Sequence, residues 1–421
     1  MSSGGPRVLM LNPAFSAPAY MHNLCDALAD AGCAVELFTG PAFERASRSW
    51  EKIAYVPRIA FYRRTQLPSY RAGRLTRPLW RCLRLAGHLT SLARLTPAIG
   101  RYDVLHLHFP PVLPVDGRWL QLVRRRIPVV HTVHNLWPHG ARRDARDRQR
   151  LRRLYHACHH LIAHTEDTVQ GLVDEFGVAP ERISRIPHGN FRHFWNRERG
   201  SVPVPDDAER TPTILVFGEL RQSKGTDVLL RAAARLRDRG VAFRVVLAGA
   251  PFAATQPYHD LARELGLEDR VLFHLRYIEE DAVPAYFEAA SVVALPYRAI
   301  DQSGVAIAAL TMGRAIVATQ VAGLADLVEQ GRCGLLVPVD DVAALAAALE
   351  SVLTNADLRH RLETNARCYA ETALAWEPIA ARTIDAYHKA GVARAVGAAG
   401  TTTRLGGARP PSIRSQPGAA R

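Results

Sequence analysis

Two strand–turn–helix segments in the second half of the chain contain the residue types that bind a diphosphate. The first, residues 216–230, carries Arg221 and Lys224 in its turn. The second, residues 295–319, ends its turn in three small or polar residues: Gln302, Ser303 and Gly304. The N-terminus of a helix offers free N–H groups and the positive end of a dipole, and Lys and Arg add full charges. The two turns together therefore predict a nucleotide-linked substrate.

A group of histidines in the first half could also take part in chemistry. Five lie close together in the sequence: His106, His108, His131, His134 and His139. No cysteine lies near them and no HExxH motif is present, so we predict no metal site. Because side chains alternate along a strand, His106 and His108 share one face. We expect these histidines either to line a cleft at the strand ends or to be structural, and a neutral histidine is a competent base near pH 7.

The elements that position these residues alternate between short apolar strands and helices, which predicts parallel, doubly wound sheets. Strands are expected at 7–12, 34–39, 104–108, 129–132, 161–164, 183–187, 214–218, 244–249, 271–275, 292–296, 315–319 and 334–337. The predicted fold class is therefore α/β, with two Rossmann-like domains that face a cleft. Ligands bind such sheets at the carboxyl ends of the strands, so the cleft is the expected site.

Composition suggests where the domains begin and end. The first domain is predicted for residues 1–195 and the second for residues 213–375, joined by a polar linker at 196–212. A C-terminal helix is expected at 376–391. The tail at 392–421 has almost no large apolar residues, and we predict that it is disordered.

Positive charge is concentrated in the first half of the chain. The net charge is +14, and residues 1–200 hold 30 Lys and Arg against 15 Asp and Glu, whereas residues 201–421 hold 24 against 25. The segment 45–101 has 13 basic residues and one acid, Glu51. Such a patch suits an anionic membrane surface or nucleic acid. A predicted helix at 79–95 mixes leucines with arginines, and it either lies on a membrane or packs its leucines on the core.

Cysteine usage and hydropathy narrow the protein class. The six cysteines are scattered and form no CxxC pair, which is typical of reduced thiols in a cytosolic protein. Charged residues interrupt the apolar runs well short of the ~18 residues that a membrane span needs. The start of the chain is too weakly hydrophobic for a signal peptide. We predict a cytoplasmic protein that is peripheral to the inner membrane.

Several motifs resemble those of the GT-B glycosyltransferases of the family 4 type, and the likeness extends over residues 6–390. FGELRQSKGTDVLLRAA resembles the family's phosphate-binding turn, and GRAIVATQVAGLADLVEQGRCGLLVPVDD resembles the segment after its donor-binding helix. DVLHLHFP, VVHTVHNLWPH and RIPHGNF, with FGELRQSKG and LPYRAIDQSG, resemble the GDP-mannose:glycolipid mannosyltransferases of exopolysaccharide assembly. The resemblance implies a GT-B fold and transfer of a sugar from a nucleotide sugar, and the subgroup implies inversion at the sugar.

The resemblance also implies roles for individual residues. Arg221 and Lys224 would bind the donor diphosphate. Residues 302–304 would bind it through backbone N–H groups and the Ser303 hydroxyl, although serine also caps helices without any ligand. His134 matches the family's active-site histidine and could accept the acceptor's proton. The other expected contacts with donor or acceptor are Asn190, His139, His108, Asp326, Ser16 and Tyr20.

One family feature is missing at the donor site. The usual pair of glutamates falls on Ala308 and on either Ile300 or Asp301. We expect Asp301 to make a sugar or ribose contact in their place, and we count it with His134 as a catalytic candidate. No DxD motif lies near a strand end, so fixed cations and helix dipoles are predicted to replace a metal ion. The nucleotide-sugar donor is a substrate, and no cofactor is expected.

The function predicted from these observations is hexosyl transfer, most specifically of mannose from GDP-mannose, to a glycolipid-linked or polysaccharide acceptor at an anionic inner-membrane surface. One alternative is transfer from a UDP-sugar or another nucleotide sugar to a soluble acceptor. The alternative from another class is a non-catalytic basic protein that binds nucleic acid or a membrane. Nucleic-acid binding would leave the two phosphate-binding turns unexplained, and residues 45–101 lack a helix-turn-helix or RNP pattern.

Overall fold

Two parallel β-sheets, one in each half of the chain, form the framework of the protein. The structure is a computed structural model that describes residues 5–47, 50, 53–62, 77–138, 141–195, 211–252, 254–300 and 302–393. The candidates His139 and Asp301 lie outside these ranges. So do residues 196–210 of the predicted linker and residues 394–421 of the predicted tail.

The first sheet has seven strands in the order β3-β2-β1-β4-β5-β6-β7. The strands are β1 Arg7–Asn12, β2 Ala34–Thr39, β3 Val56–Ile59, β4 Val104–His108, β5 Val129–Val133, β6 His160–Ala163 and β7 Ile183–Arg185. The helices beside this sheet are α1 Pro18–Asp30, α2 Ala42–Ala46, α3 Arg77–Leu95, α4 Leu113–Val123, α5 Ala145–Ala157 and α6 Glu166–Asp174. The central strands β1, β4, β5 and β6 are buried on both faces, which explains their nearly continuous apolar sequences.

The second sheet has six strands in the order β10-β9-β8-β11-β12-β13. The strands are β8 Thr213–Phe217, β9 Arg244–Ala248, β10 Val271–His274, β11 Val292–Leu295, β12 Ile316–Thr319 and β13 Gly334–Val337. The helices that follow them are α7 Thr226–Asp238, α8 Gln256–Glu264, α9 Val283–Glu288, α10 Gly304–Thr311, α11 Ala322–Gly331, α12 Val342–Thr354 and α13 Ala356–Glu371. The strand order reverses between β8 and β11, and the loops after these two strands are the two predicted phosphate-binding turns.

The last helix, α14 Trp376–Lys389, returns to the first domain. Trp376, Ile379 and Tyr387 are fully buried there among the side chains of β1 and α1. The hydroxyl of Tyr387 also lies 2.8 Å from Nδ1 of His106 on β4. Helix α14 therefore completes the core of the N-terminal domain.

The α/β fold with two doubly wound parallel sheets is confirmed. The bounds predicted for β1, β2, β4 and β13 match the structure. One strand of the first sheet, β3, was not predicted. Strand β3 lies at the sheet edge and contains Pro57 and Arg58, so it lacks the apolar pattern of a buried strand. No helix in the described part of the chain has the length and apolarity to span a bilayer.

Candidate active site

The two turns of the second domain that are predicted to bind phosphate pack directly against each other. Gly225, just before α7, has a left-handed backbone with φ of 64°. A Cβ atom at this position would collide with the carbonyl oxygen of Pro296, in the loop after β11. Glycine is therefore required here both for the backbone conformation and for the close approach of the two loops.

Arg298 holds this pair of turns in place. Its Nη1 and Nη2 atoms donate to the two carboxylate oxygens of Asp227 at 2.9 and 2.8 Å, and its Nε donates to Asp340 at 2.7 Å. Its backbone N–H donates to the carbonyl of Ser223 at 2.8 Å. The hydrogen bond with Asp227 is the main reason why the pKa of Arg298 is raised. Sequence reasoning missed this residue, because its partners are distant in the chain.

Lys224 and Ser303 meet at the buried side chain of Tyr297. The ammonium of Lys224 lies 3.7 Å from the centre of the Tyr297 ring. Burial, and secondly the charge of Arg221, lowers the pKa of Lys224 to about 8. Burial raises the pKa of the Tyr297 hydroxyl, and Ser303 lies near enough to oppose that shift without reaching hydrogen-bond geometry.

Two buried hydroxyls at this place have no hydrogen-bond partner among the described residues. They are the hydroxyl of Tyr297 and Oγ1 of Thr226, whose residue begins α7. A buried polar group without a partner is costly, so its occurrence in a fold calls for an explanation. Thr226 follows Lys224 by two positions at the start of α7, and the Tyr297 ring contacts the Lys224 ammonium. Each hydroxyl is a hydrogen-bond donor that an anion could accept from. Neither residue was singled out from the sequence.

Arg221 and Ser303, two further predicted diphosphate contacts, bond to neighbouring residues of the second domain. Arg221 donates to Glu219 from Nε at 2.8 Å and forms a 2.6 Å ion pair with it, and its guanidinium lies 4.4 Å from the centre of the Phe252 ring. Ser303 caps α10 by accepting from the N–H of Ala306 at 3.2 Å. Ser303 thus has the capping role that was considered for it. The guanidinium of Arg221 is occupied by Glu219 and Phe252.

The first domain places six histidines near the carboxyl ends of β4, β5, β6 and β7. Five of them are buried, and His134 is half-buried: His106, His108, His131, His134, His164 and His188. Burial is the main cause that lowers each pKa, to about 3 for His106 and His188 and to about 4 for His131 and His164. Burial also lowers the pKa values of His108 and His134 well below the usual value. All six rings are therefore neutral near pH 7.

Hydrogen bonds determine which ring nitrogens carry protons. Nδ1 of His164 lies 2.9 Å from the carbonyl oxygen of Ile186, which can only accept, so Nε2 of His164 is an acceptor. His134 donates from Nδ1 to this nitrogen at 3.3 Å, and its Nε2 accepts from Nδ1 of His108 at 3.1 Å. Nε2 of His108 is then a buried acceptor without a partner among the described residues. Both nitrogens of His134 are engaged, so it can accept a proton only after its bond to His108 breaks.

The remaining predicted contacts of the first domain fall into two groups. Tyr20 is buried beneath the histidines, with its ring centre 4.9 Å from that of His134. The Asn190 amide donates to Ala370 at 2.8 Å and accepts from the N–H of Arg192 at 3.1 Å. Its backbone carbonyl accepts from Trp376, so Asn190 ties the two halves of the chain together. Ser16, by contrast, is half-buried and borders a cavity.

Two cavities adjoin these residues. One of about 300 Å³ lies between the domains and brings Gln302, Ser303 and Asp326 together with His164 and His188. The second, of about 680 Å³, lies in the first domain and is bordered by Ser16 and His134. Within the described ranges, no group of three or more His, Cys, Asp or Glu side chains is arranged to hold a metal ion.

Comparison with protein families matches each half of the chain. The model described as Glycosyltransferase Family 4 matches residues 17–189, and the model described as Glycosyl transferases group 1 matches residues 211–355. These two matches correspond to the two sheets. They bear out the family type predicted from the motifs.

Curated relatives resemble the chain over most of its length. The D-inositol 3-phosphate glycosyltransferase 2 of Catenulispora acidiphila is 30% identical over 393 residues, which cover 88% of this chain and 89% of that protein. The D-inositol 3-phosphate glycosyltransferase of Xylanimonas cellulosilytica is 30% identical, with 92% and 97% covered. Neither is named as an exopolysaccharide mannosyltransferase, so these relatives do not support the subgroup predicted from the N-terminal motifs.

Solved structures share the fold at lower sequence identity. Sucrose-phosphate synthase from Thermosynechococcus elongatus has a TM-score of 0.68 and 20% identity, covering 91% of this chain and 98% of its own. Anabaena HepE, solved in complex with UDP-glucose, has a TM-score of 0.66 and 20% identity, with 90% and 99% covered. Both similarities extend across the two domains.

Proposed function

Because the chain belongs to the group 1, family 4 glycosyltransferases, we propose that it uses Lys224 and the N-termini of α7 and α10 to bind the diphosphate of a nucleotide sugar. The observation that carries this proposal is the meeting of Lys224 and Ser303 at Tyr297, whose buried hydroxyl has no hydrogen-bond partner among the described residues. Positive helix ends and a lysine take the place of a metal ion there. When the donor binds, the guanidinium of Arg221 leaves Glu219 and pairs with a phosphate oxygen.

The reaction breaks the bond between the anomeric carbon and the phosphate oxygen and forms a bond from that carbon to an acceptor hydroxyl. The leaving nucleoside diphosphate gains one negative charge, which the Lys224 ammonium stabilises. The acceptor's proton passes to Nε2 of His134 once that nitrogen has left His108. Asp326 and Gln302, which border the cavity between the domains, contact the donor.

The donor proposed from the motif resemblance is GDP-mannose. A UDP-sugar is the competing candidate, since Anabaena HepE was solved in complex with UDP-glucose. A thermal-shift screen of GDP, UDP, ADP and TDP sugars separates these donors, because a ligand present at 100 times its Kd stabilises by about 2.7 kcal/mol. A shift with one nucleotide that disappears in Lys224→Ala supports the site. No shift with any of them would overturn the proposal.

The acceptor proposed from the sequence is a glycolipid at the cytoplasmic face of an anionic membrane. Helix α3 supports this, because it buries His88, Leu92 and Leu95 but leaves Leu79 65% and Leu83 53% exposed. An apolar stripe facing solvent and flanked by arginines suits a membrane interface. A soluble acceptor is the second candidate, because the curated relatives are named for inositol 3-phosphate.

Flotation with liposomes tests the membrane proposal. The protein should float with vesicles that contain anionic lipid and remain behind with zwitterionic ones. Leu79→Gln combined with Leu83→Gln should abolish flotation. Leu122→Gln, which changes a leucine 68% exposed on α4, is the matched control and should float normally. Flotation that is unaffected by the α3 variant would rule out this helix as the contact.

A further inference from the structure

The cavity of about 680 Å³ in the first domain is lined by both apolar and polar side chains. It lies between the loop that joins β4 to α4 and the start of α5, and His134 borders it. Most of its described lining is apolar, and residues 109–114 form an uninterrupted apolar part of it. Pockets for drug-sized ligands typically have volumes of ~300–1,000 Å³, and this cavity lies in that range. It is larger than a single sugar ring requires.

The apolar wall is held in position by a buried polar network. One carboxylate oxygen of Asp116 accepts from the N–H of Val112 at 2.8 Å, and the other contacts Nε2 of His88 at 2.7 Å. Asp116 and His88 are both buried, and Nδ1 of His88 lies 3.1 Å from the Tyr62 hydroxyl. The loop that supplies the prolines is therefore fixed before any ligand binds, which lowers the entropic cost of binding.

Polar side chains also border this cavity. His134, Ser16 and Asn135 are among them, and the ring of Phe109 stacks on His134 at 4.0 Å between centres. The side chain at which the acceptor hydroxyl would react therefore lies beside the apolar wall. A ligand that fills the cavity and reaches His134 therefore needs both an apolar portion and a polar one.

The charges in this cavity do not favour a free phosphate. Arg150 is the cationic side chain among the described lining residues, and its Nη1 donates to Asp147 at 2.9 Å. His131 is neutral because burial lowers its pKa to about 4, and its Nδ1 lies 2.9 Å from the carbonyl of Leu107. A phosphorylated polyol would lose its hydration here and gain little charge compensation.

We propose that this cavity binds the apolar group attached to the acceptor sugar, so that the acceptor is an amphiphilic glycoside. The proposal rests on the proposed function, since it takes His134 as the place where the acceptor hydroxyl reacts. It distinguishes this chain from relatives named for a soluble inositol phosphate. Leu113 and Val112, which are half-buried and border the cavity, determine the preference for an apolar group.

Binding of simple glycosides in the absence of any donor tests this inference. Methyl, butyl and octyl mannosides and myo-inositol 3-phosphate are titrated into the full chain by calorimetry, below the micelle concentration of the octyl compound. Each methylene that enters the cavity should tighten binding, so the octyl glycoside should bind at least roughly tenfold more tightly than the methyl one. Leu113→Ser should reduce that ratio to near one, whereas Leu122→Ser on the solvent side of the same helix should leave it unchanged.

Val112→Thr, which keeps the side-chain shape but adds a hydroxyl, provides a second variant if Leu113→Ser fails to fold. It should reduce the octyl preference by a few-fold. Equal binding of methyl and octyl glycosides, or tighter binding of myo-inositol 3-phosphate, would overturn the inference. An octyl preference that both cavity variants retain would also overturn it. Because no donor is present, these results are independent of the nucleotide screen, whose failure would instead contradict the diphosphate site.

Discussion

The two faces of the cleft, one from each domain, differ in charge. The second domain gathers positive potential from Lys224 and from the first turns of α7 and α10. The first domain keeps six histidines neutral by burying them. A positive face stabilises a leaving diphosphate, whereas a neutral face retains nitrogen lone pairs that can accept a proton. The difference implies that each face should respond to its own range of pH and to its own substitutions.

Acid should destabilise the first domain, and because several buried histidines contribute together, this is the largest effect that we expect. His131 and His164 have folded-state pKa values of about 4, below the ordinary 6.5, so the unfolded chain binds more protons between these values. Their stabilisation is complete above pH 6.5 and is lost as the pH falls toward 4. The loss is about 1–2 kcal/mol for each such histidine by pH 5.

Urea unfolding from pH 7 to pH 4.5 measures this effect. His164→Gln should flatten the pH dependence, since it removes one titrating ring from the face. The exposed His360→Gln is the matched control and should keep the wild-type slope. A free energy of unfolding that stays constant down to pH 5 would contradict the neutral state assigned to the cluster.

Lys224→Ala tests the second face most directly. Removing one charge that stabilises a developing anion typically costs a factor of ~10²–10³ in turnover. We expect a loss of this size in kcat/KM for the donor, with the fold retained. Lys389→Ala, which removes an exposed lysine paired with Asp385 on α14, should leave catalysis unchanged. Full activity of Lys224→Ala at saturating donor would exclude its role in leaving-group stabilisation.

His164 should matter through His134 and not through contact with the reacting atoms. His164→Phe removes the acceptor that fixes the proton on Nδ1 of His134, and it should lower kcat by roughly 10–100-fold. His164→Gln supplies an amide oxygen in place of the ring nitrogen and should retain most of the activity. The pH profile of kcat below pH 7 is the decisive measurement, because a change in the protonation of His134 shifts it. Equal losses in the two variants, with an unchanged profile, would indicate a purely structural role.

A smaller loss of activity is expected at alkaline pH, where Lys224 in the second domain loses its proton. The pKa of Lys224 is lowered to about 8, so its ammonium loses its proton as the pH rises through 8. Donor kcat/KM should therefore fall by up to tenfold for each pH unit above 8. Lys224→Arg keeps a positive charge at higher pH, and its profile should remain flat to pH 10. An alkaline limb at the same pH in both proteins would assign the titration to another group.

The sequence predicted much of the framework and one face of the candidate site. Buried parallel strands have compact apolar sequences, which is why the bounds of β1, β2 and β4 could be read directly. The turn around Lys224 is local, since a strand, a lysine–glycine pair and a helix follow one another in the chain. The motifs of both domains also pointed to the correct family. The edge strand β3 gave no such signal, because it is short, half-exposed and interrupted by Pro57.

Only the tertiary structure determined how the residues act together. Tyr297 and Arg298 meet the turn around Lys224 through contacts between loops that are about 70 residues apart in the chain. The histidine chain joins strands β4, β5 and β6, so no local pattern could show that both nitrogens of His134 are engaged. Proton positions and lowered pKa values arise from burial and from neighbouring dipoles. Those properties follow from packing in three dimensions, whereas the sequence alone determines residue type and local periodicity.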